Sequence, residues 1–179
     1  MKRVIATILT VSFMLSVAAG LTGCFRAPKD WYKSTLDYYA EGVKTGWANE
    51  NNVDNEGTGL GWEVADEIKD PNNDIGYLLV DLDGDGTDEL LIGFNDGSNA
   101  TKFTDVVVFS FGTGANRLMN GTNGYYIYLC ASNVLCDDSW YGSETQRSFM
   151  KWDGKNQYFT VIDGDGKYLP KKWELTKFQ

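Results

Sequence analysis

Histidine does not occur in the 179 residues. Its absence excludes a Ser-His-Asp triad, a Cys-His dyad, a histidine-bearing zinc site and histidine-ligated haem. Basic charge is scarce: 16 Lys and Arg face 25 Asp and Glu, for a net charge of −9. A protein that displaces counterions from phosphates needs a basic surface, so nucleic acid is not an expected partner. Cysteine occurs only 3 times, too few for a disulfide-framed scaffold. Apolar residues are not scarce. At 42% hydrophobic and 14% aromatic, the chain is too apolar to stay disordered. Its length suits one domain with a targeting segment.

That segment is the N-terminus. Lys2 and Arg3 precede 22 uncharged residues, Val4 to Phe25, rich in Val, Ile, Leu, Phe and Met. The pattern reads as a secretory signal. A run of this length also spans a bilayer, so an uncleaved transmembrane anchor is the alternative. Leu21-Thr22-Gly23-Cys24 decides between them, because it resembles the bacterial lipoprotein signal. The resemblance implies cleavage before Cys24 and thioether lipidation of its sulfur. The expected organisation is a signal peptide over 1–23, a lipidated tether over 24–30, and one extracytoplasmic domain over 31–179. The protein would then sit at the cell membrane by its lipid, on the extracytoplasmic face. The mature chain would have 156 residues and a net charge of −11. Cys130 and Cys136 remain in an oxidising compartment, with five residues between them. They can close a local disulfide or remain as two buried thiols.

Beyond the tether, Tyr32, Leu36, Tyr39, Ala40, Val43 and Trp47 recur at helical spacing, with Asp30 as N-cap and Gly46 or the Asn-rich stretch after Trp47 as stop. An aromatic stripe of this kind is first of all a packing face. Residues 49–61 are polar and glycine-rich, a loop. Gly57 to Trp62 lacks the Lys-Ser/Thr of a phosphate loop and has no strand before it. Trp62 to Lys69 predicts two helical turns. Thereafter strands are expected at 75–82, 90–94, 103–111, 125–131, 147–152 and 158–162, with Trp173–Phe178 closing the set. Asn-Asp-Gly, Gly-Thr-Gly and Asp-Gly turns separate them. The expected fold is α+β, an N-terminal amphipathic helix packed on a predominantly antiparallel meander.

One segment carries chemistry. Asp81, Asp83, Asp85 and Glu89 stand at positions 1, 3, 5 and 9 of an acidic loop, with Gly86 at the sharp turn and the Thr87 carbonyl at position 7. An all-oxygen set suits a hard cation, and calcium better than magnesium. Without an ion, such carboxylates raise one another's pKa. Position 12, where an EF-hand has a bidentate Glu, is Ile92. Binding on the order of 10⁻⁴–10⁻³ M is therefore expected. Apolar runs enter and leave the loop, Tyr77 to Val80 and Leu90 to Ile92. The segment Gly76 to Gly93 thereby resembles the strand-loop-strand calcium motif of FG-GAP repeats. It also resembles small Gram-positive lipoproteins with one such loop, which carry a later aromatic strand, here Tyr125 to Tyr128, and a Gly-Ser element, here Gly142-Ser143. The resemblance implies a location and an ion, not an activity. Asp163-Gly164-Asp165-Gly166 has Val161 and Leu169 where flanking acids would be needed, so it reads as a turn.

Two functional classes follow. One is a lipid-tethered, calcium-pinned binding module whose aromatics meet a glycan or protein surface. The other is a small cell-surface hydrolase using two carboxylates. No catalytic pair stands out in the sequence, so the binding module is the expectation. A two-lobed solute-binding protein needs a longer chain.

Overall fold

The computed structural model describes residues 28–47, 62–110, 114–120, 125–141, 144–164 and 166–179. The signal segment, Cys24, the polar stretch 48–61 and Gly142-Ser143 lie outside them. A short helix α1 (Pro28–Trp31) begins inside the stretch expected as tether and leads into α2 (Lys33–Thr45). The N-cap is Tyr32, not Asp30. Helix α2 stops where Gly46 turns left-handed at φ +66°, a conformation glycine reaches without steric cost. Trp47 then folds back over Gly42, where a Cβ would stand 2.1 Å from the indole. Helix α3 (Trp62–Glu67) follows.

The strands are β1 (Asp74–Val80), β2 (Glu89–Asn95), β3 (Lys102–Ser110), β4 (Gly114–Asn120), β5 (Ile127–Leu129), β6 (Leu135–Tyr141), β7 (Glu144–Asp153) and β8 (Tyr158–Ile162). They form one antiparallel sheet in the order β1-β2-β3-β5-β6-β7-β8, with β4 also paired to β3. Asp105–Ser110 of β3 takes β4, whereas Phe103 takes Ile127 of β5. The two thus occupy successive stretches of one β3 edge.

The α+β expectation is corrected here. The molecule is mostly antiparallel sheet, and its one long helix among the described residues lies inside the chain at Lys33–Thr45, behind α1. The succession of hairpins is also interrupted where β4 and β5 share β3. Strands β4 and β6 were not expected, because Gly114–Asn120 and Leu135–Tyr141 show no apolar alternation. Strand β6 is held by ladders on both sides, from β5 and β7.

The two faces of the sheet bury separate cores. Tyr32, Tyr39 and Trp47 with Val64 of α3 pack on Ile75, Leu90, Ile92, Phe94 and Val107. Side chains of the opposite face, Leu91, Val106 and Val108, meet Leu129, Leu135 and Trp152 from β5, β6 and β7. Strands far apart in the ladder therefore share one core, so the sheet bends over on itself. A bulge between Ile92 and Gly93 assists the bend, since bulges sharpen local twist. Only glycine fits at 93, because a Cβ would stand 2.1 Å from the Lys102 carbonyl oxygen. All seven residues of β2 are buried. Each large aliphatic chain buried this way contributes roughly 1.5–3 kcal/mol. The buried Asp105 accepts hydrogen bonds from Tyr39 (2.8 Å) and Thr104 (3.0 Å), which ties α2 to the sheet.

Trp173 to Phe178, expected as a closing strand, instead runs along the free edge of β1. Tyr77 and Thr176 exchange two backbone hydrogen bonds there, at 2.9 and 2.8 Å. Lys177 pairs with Asp74, and Phe178 stacks on Tyr39 with ring centroids 5.7 Å apart.

Candidate metal centre

Strand β1 delivers Asp81 and strand β2 begins at Glu89, with Val80 and Glu89 paired across the ladder. The residues between them coil around the Asp81 carboxylate. Its Oδ1 accepts from the backbone N–H of Gly84 (2.7 Å) and Asp85 (3.1 Å), and its Oδ2 from Gly86 (2.9 Å). Asp83 accepts from the N–H of Asp85 at 3.2 Å, and Asp85 from that of Thr87 at 2.7 Å. The coil requires Gly84 and Gly86 at φ +83° and +88°. Nothing lies within 4 Å of a Cβ at either position, so the requirement is one of backbone conformation, not space.

This coil brings one carboxylate oxygen each of Asp81, Asp83 and Glu89 within 4.8 Å of one another. Of the expected ligands, Asp85 is not in that group. Its carboxylate is turned to the Thr87 N–H, and Asp85, Thr87 and Glu89 together line a pocket of about 320 Å³ with Phe109, Gly154, Lys155 and Gln157. Asp88 is also outside the group. Its carbonyl accepts a 3.0 Å hydrogen bond from the Tyr32 hydroxyl, which links the start of α2 to the loop.

Glu89 is the buried member, 4% exposed, and its Oε2 accepts from the Leu82 N–H at 2.9 Å. Burial and the neighbouring Asp83, Asp85 and Asp81 push its pKa up to about 7, against the lowering effect of that N–H. Burial and the Asp81 charge also raise Asp88. Burial and the Glu89 charge raise the Tyr32 hydroxyl and keep it protonated as the donor to Asp88.

Three contributors come from far along the chain. Gly154, in the β7–β8 turn, donates its N–H to Asp83 Oδ2 at 2.7 Å, and a Cβ on it would stand 2.6 Å from that oxygen. Asn133 donates its side-chain N–H to the Asp81 carbonyl at 2.6 Å. It does so from a tight turn in which Ser132 and Asn133 both take left-handed φ, +60° and +54°. Such strain persists where surrounding contacts hold it. Trp152 Nε1 is a buried side-chain donor without a hydrogen-bond partner, the one such atom among the described residues. It lies 3.2 Å from the point a Gly154 Cβ would occupy, which is 2.6 Å from Asp83 Oδ2. No signal local to the 81–89 segment announces these three. The Asp153-Gly154 turn and Asn133 are legible as turn residues, but not as partners of the loop.

The donor set suits a hard cation. Every converging side chain offers oxygen, and burial of Glu89 among three acids leaves negative charge that a cation would neutralise. The Trp152 N–H lies near Asp83 without a partner of its own, and supporting donors beside ligand carboxylates are common around metal sites.

The other expected sites fare differently. Cys130 and Cys136 are free thiols, both fully buried. Of the two alternatives, the structure shows two thiols and no bridge between them. Cys136 stands opposite Tyr128, so Cys130 is its diagonal neighbour across β5 and β6. Diagonal positions lie roughly 7–8 Å apart, beyond the 5.5–6 Å typical of a bridge. The thiols hydrogen-bond instead, which lowers Cys130 and raises Cys136, and Cys136 also lies 3.7 Å from Asp138 Oδ1. Among the described residues, no helix is long and apolar enough to cross a membrane.

No protein-family model matches the chain, and no curated protein or solved structure matches it. The comparisons bring no evidence of catalytic activity.

Proposed function

We propose that the chain is a lipid-anchored extracytoplasmic binding module whose 81–89 loop is pinned by one calcium ion. The observation that carries this reading is the convergence of Asp81, Asp83 and Glu89 oxygens within 4.8 Å. Asp81, Asp83 and Glu89 are the side-chain ligands. Thr87 contributes its carbonyl, and Asp85 joins when its carboxylate leaves the Thr87 N–H. The ion supplies charge neutralisation and fixes the loop between β1 and β2. Gly154 and Asn133 hold Asp83 and Asp81 in place. Leu21 to Cys24 supports the membrane anchor, and the partner on the far side is a glycan or protein surface.

Calorimetry and thermal melting of the purified protein, in calcium, magnesium and chelator, test the ion. At ten times Kd, calcium stabilises by about 1.4 kcal/mol, a rise in melting temperature of about 3–5 °C. Identical curves in calcium and chelator would leave the loop as a turn only. Labelled fatty acid should enter the wild type and not Cys24→Ser. Undiminished label on the variant would remove the lipid anchor.

A second reading rests on one specific observation. Glu89 is buried with its pKa near 7, beside Asp85 in a pocket with an aromatic wall, which suits a general acid facing a carboxylate. Turnover of labelled cell-wall or host glycans, lost in Glu89→Gln, would favour this hydrolase over the binding module.

A further inference from the structure

The sheet has two outer edges and treats them differently. The β1 edge is covered by the chain itself, through the Tyr77–Thr176 bridge and the Lys177–Asp74 pair. The β8 edge has no strand against it among the described residues, since β8 pairs only with β7. Edge strands usually carry a charge or proline that discourages pairing. Strand β8, Tyr158-Phe159-Thr160-Val161-Ile162, carries neither. Its exposed members include Tyr158 at 51% and Val161 at 70%.

We propose that β8 is a self-association edge, which pairs antiparallel with β8 of a second copy of this chain about a two-fold axis at Thr160. The strand's own sequence argues for that occupant. A two-fold centred on Thr160 sets Tyr158 opposite Ile162, Phe159 opposite Val161 and Thr160 opposite Thr160. Every pair is aromatic with β-branched or Thr with Thr, the combinations that stabilise neighbouring strands. Shifting the register by one residue places Tyr158 opposite Val161 and Phe159 opposite Thr160, and leaves Ile162 with no partner inside the strand. The ends match in charge as well. Asp163, exposed, follows β8, and Lys155, exposed, lies in the turn before it. The two-fold brings the Asp163 end of each copy to the Lys155 end of the other. A closed two-fold uses both edges once and stops, so the product is a dimer and not a fibre. Five paired residues make a small interface, so the dimer depends on concentration.

Cysteine trapping of the full chain, in membranes of expressing cells treated with copper phenanthroline, tests this. Residue 160 alone meets its own copy, so Thr160→Cys should give a dimer on non-reducing gels at least several-fold above wild type. Tyr158→Cys should trap far less by itself and should cross-link when co-expressed with Ile162→Cys. Adding Val161→Lys to Thr160→Cys should sharply reduce the trapped dimer. The side chain at 161 is exposed, and the new charge meets Phe159 of the other copy. No dimer above wild type with Thr160→Cys would overturn the proposal. A dimer trapped equally at 158 and 160, or one untouched by Val161→Lys, would do the same by pointing to a different contact. Capture of an extended segment of another protein in place of the second copy would also overturn it.

Discussion

The tetrapeptide Asp-Gly-Asp-Gly occurs twice, at 83–86 and at 163–166, and the two copies reach different chemistry. In the first, Asp81 stands two residues before and Glu89 six residues after its leading Asp, and both converge with Asp83. In the second, the same offsets hold Val161 and Leu169, each 70% exposed. The first glycines differ too. Gly84 turns left-handed into open space, whereas its counterpart Gly164 lies under Phe149, whose ring would meet a Cβ at 2.4 Å; the second glycines, Gly86 and Gly166, both turn left-handed with nothing within 4 Å. The Gly164 carbonyl accepts from the Lys167 N–H at 2.9 Å, closing a turn against a small cluster of Cys130, Val134, Cys136 and Phe149. The tetrapeptide supplies only a turn. Acids outside it, carried by two paired strands, supply the site.

Removing the flanking acid should break the comparison most. The folded-state pKa of Glu89 is about 7 against 4.5 for the ordinary side chain. Between those values the folded protein holds a proton that the unfolded chain has released. Stability of the metal-free protein is therefore fully present below about pH 4.5 and falls as pH rises to about 7, then levels off. The loss is on the order of 3 kcal/mol. Glu89→Gln should flatten this slope, stabilise the chelated protein at pH 8, and abolish the calcium response. Urea denaturation at pH 5 and pH 8, with and without calcium, reads all three. A slope that survives in Glu89→Gln would assign it to other groups.

A smaller effect separates the two turns by their glycines. Gly164→Ala should cost about 2 kcal/mol, because the new methyl must displace Phe149 in a packed core. Gly86→Ala should cost about 1 kcal/mol, through backbone strain alone. Only Gly86→Ala should also weaken calcium binding. Melting in calcium and in chelator distinguishes them, and equal calcium responses in both variants would mean that the coil at 86 does not shape the site.

What was legible in the sequence follows the same division. Asp81, Asp83, Gly86 and Glu89 lie in one short segment, so their spacing announced the loop. Apolar runs flank it, Tyr77 to Val80 and Leu90 to Ile92, so both strands were visible. The α2 stripe was visible because Leu36, Tyr39, Ala40 and Val43 recur at the helical period, although Tyr32 proves to be the N-cap and Trp47 lies past the left-handed Gly46. Strand β6 was not, because Cys136-Asp137-Asp138-Ser139 has no alternation and owes its place to ladders on both sides. The hydrogen bond from Gly154 to Asp83 crosses 71 residues, and only the bend of the sheet brings the β7–β8 turn to the acidic loop. Cys130 and Cys136 were close in sequence, but their diagonal register was not readable from spacing. Asp85 fits the position-5 pattern, yet its carboxylate serves the Thr87 N–H.

That cross-chain hydrogen bond gives the next prediction. Gly154→Ala places a methyl within 2.6 Å of Asp83 Oδ2 and forces one of the two to move. Supporting groups of this kind typically change metal affinity by 10–100-fold. Calcium affinity by calorimetry should fall by about tenfold, while stability in chelator changes by less than about 1 kcal/mol. Unchanged affinity would show that the β7–β8 turn merely lies beside the loop.

The smallest effect belongs to the acid that shares the loop without sharing its centre. Asp88 is next to Glu89 in sequence, but what holds it is its carbonyl, through Tyr32, and its side chain is outside the converging group. Asp88→Ala keeps that carbonyl and should leave calcium affinity within about twofold of wild type. Loss of one nearby negative charge accounts for a change of that size in a solvated loop. Asp85→Ala should fall between, because its carboxylate braces the Thr87 N–H and reaches the ion only by leaving it. The expected order of calcium affinity is wild type, Asp88→Ala, Asp85→Ala, then Asp83→Ala with no measurable binding. If Asp88→Ala weakens binding as much as Asp83→Ala, affinity depends on the summed charge of the segment. The position of each carboxylate on the coil would then not matter, and the second Asp-Gly-Asp-Gly would differ from the first only in having fewer acids around it.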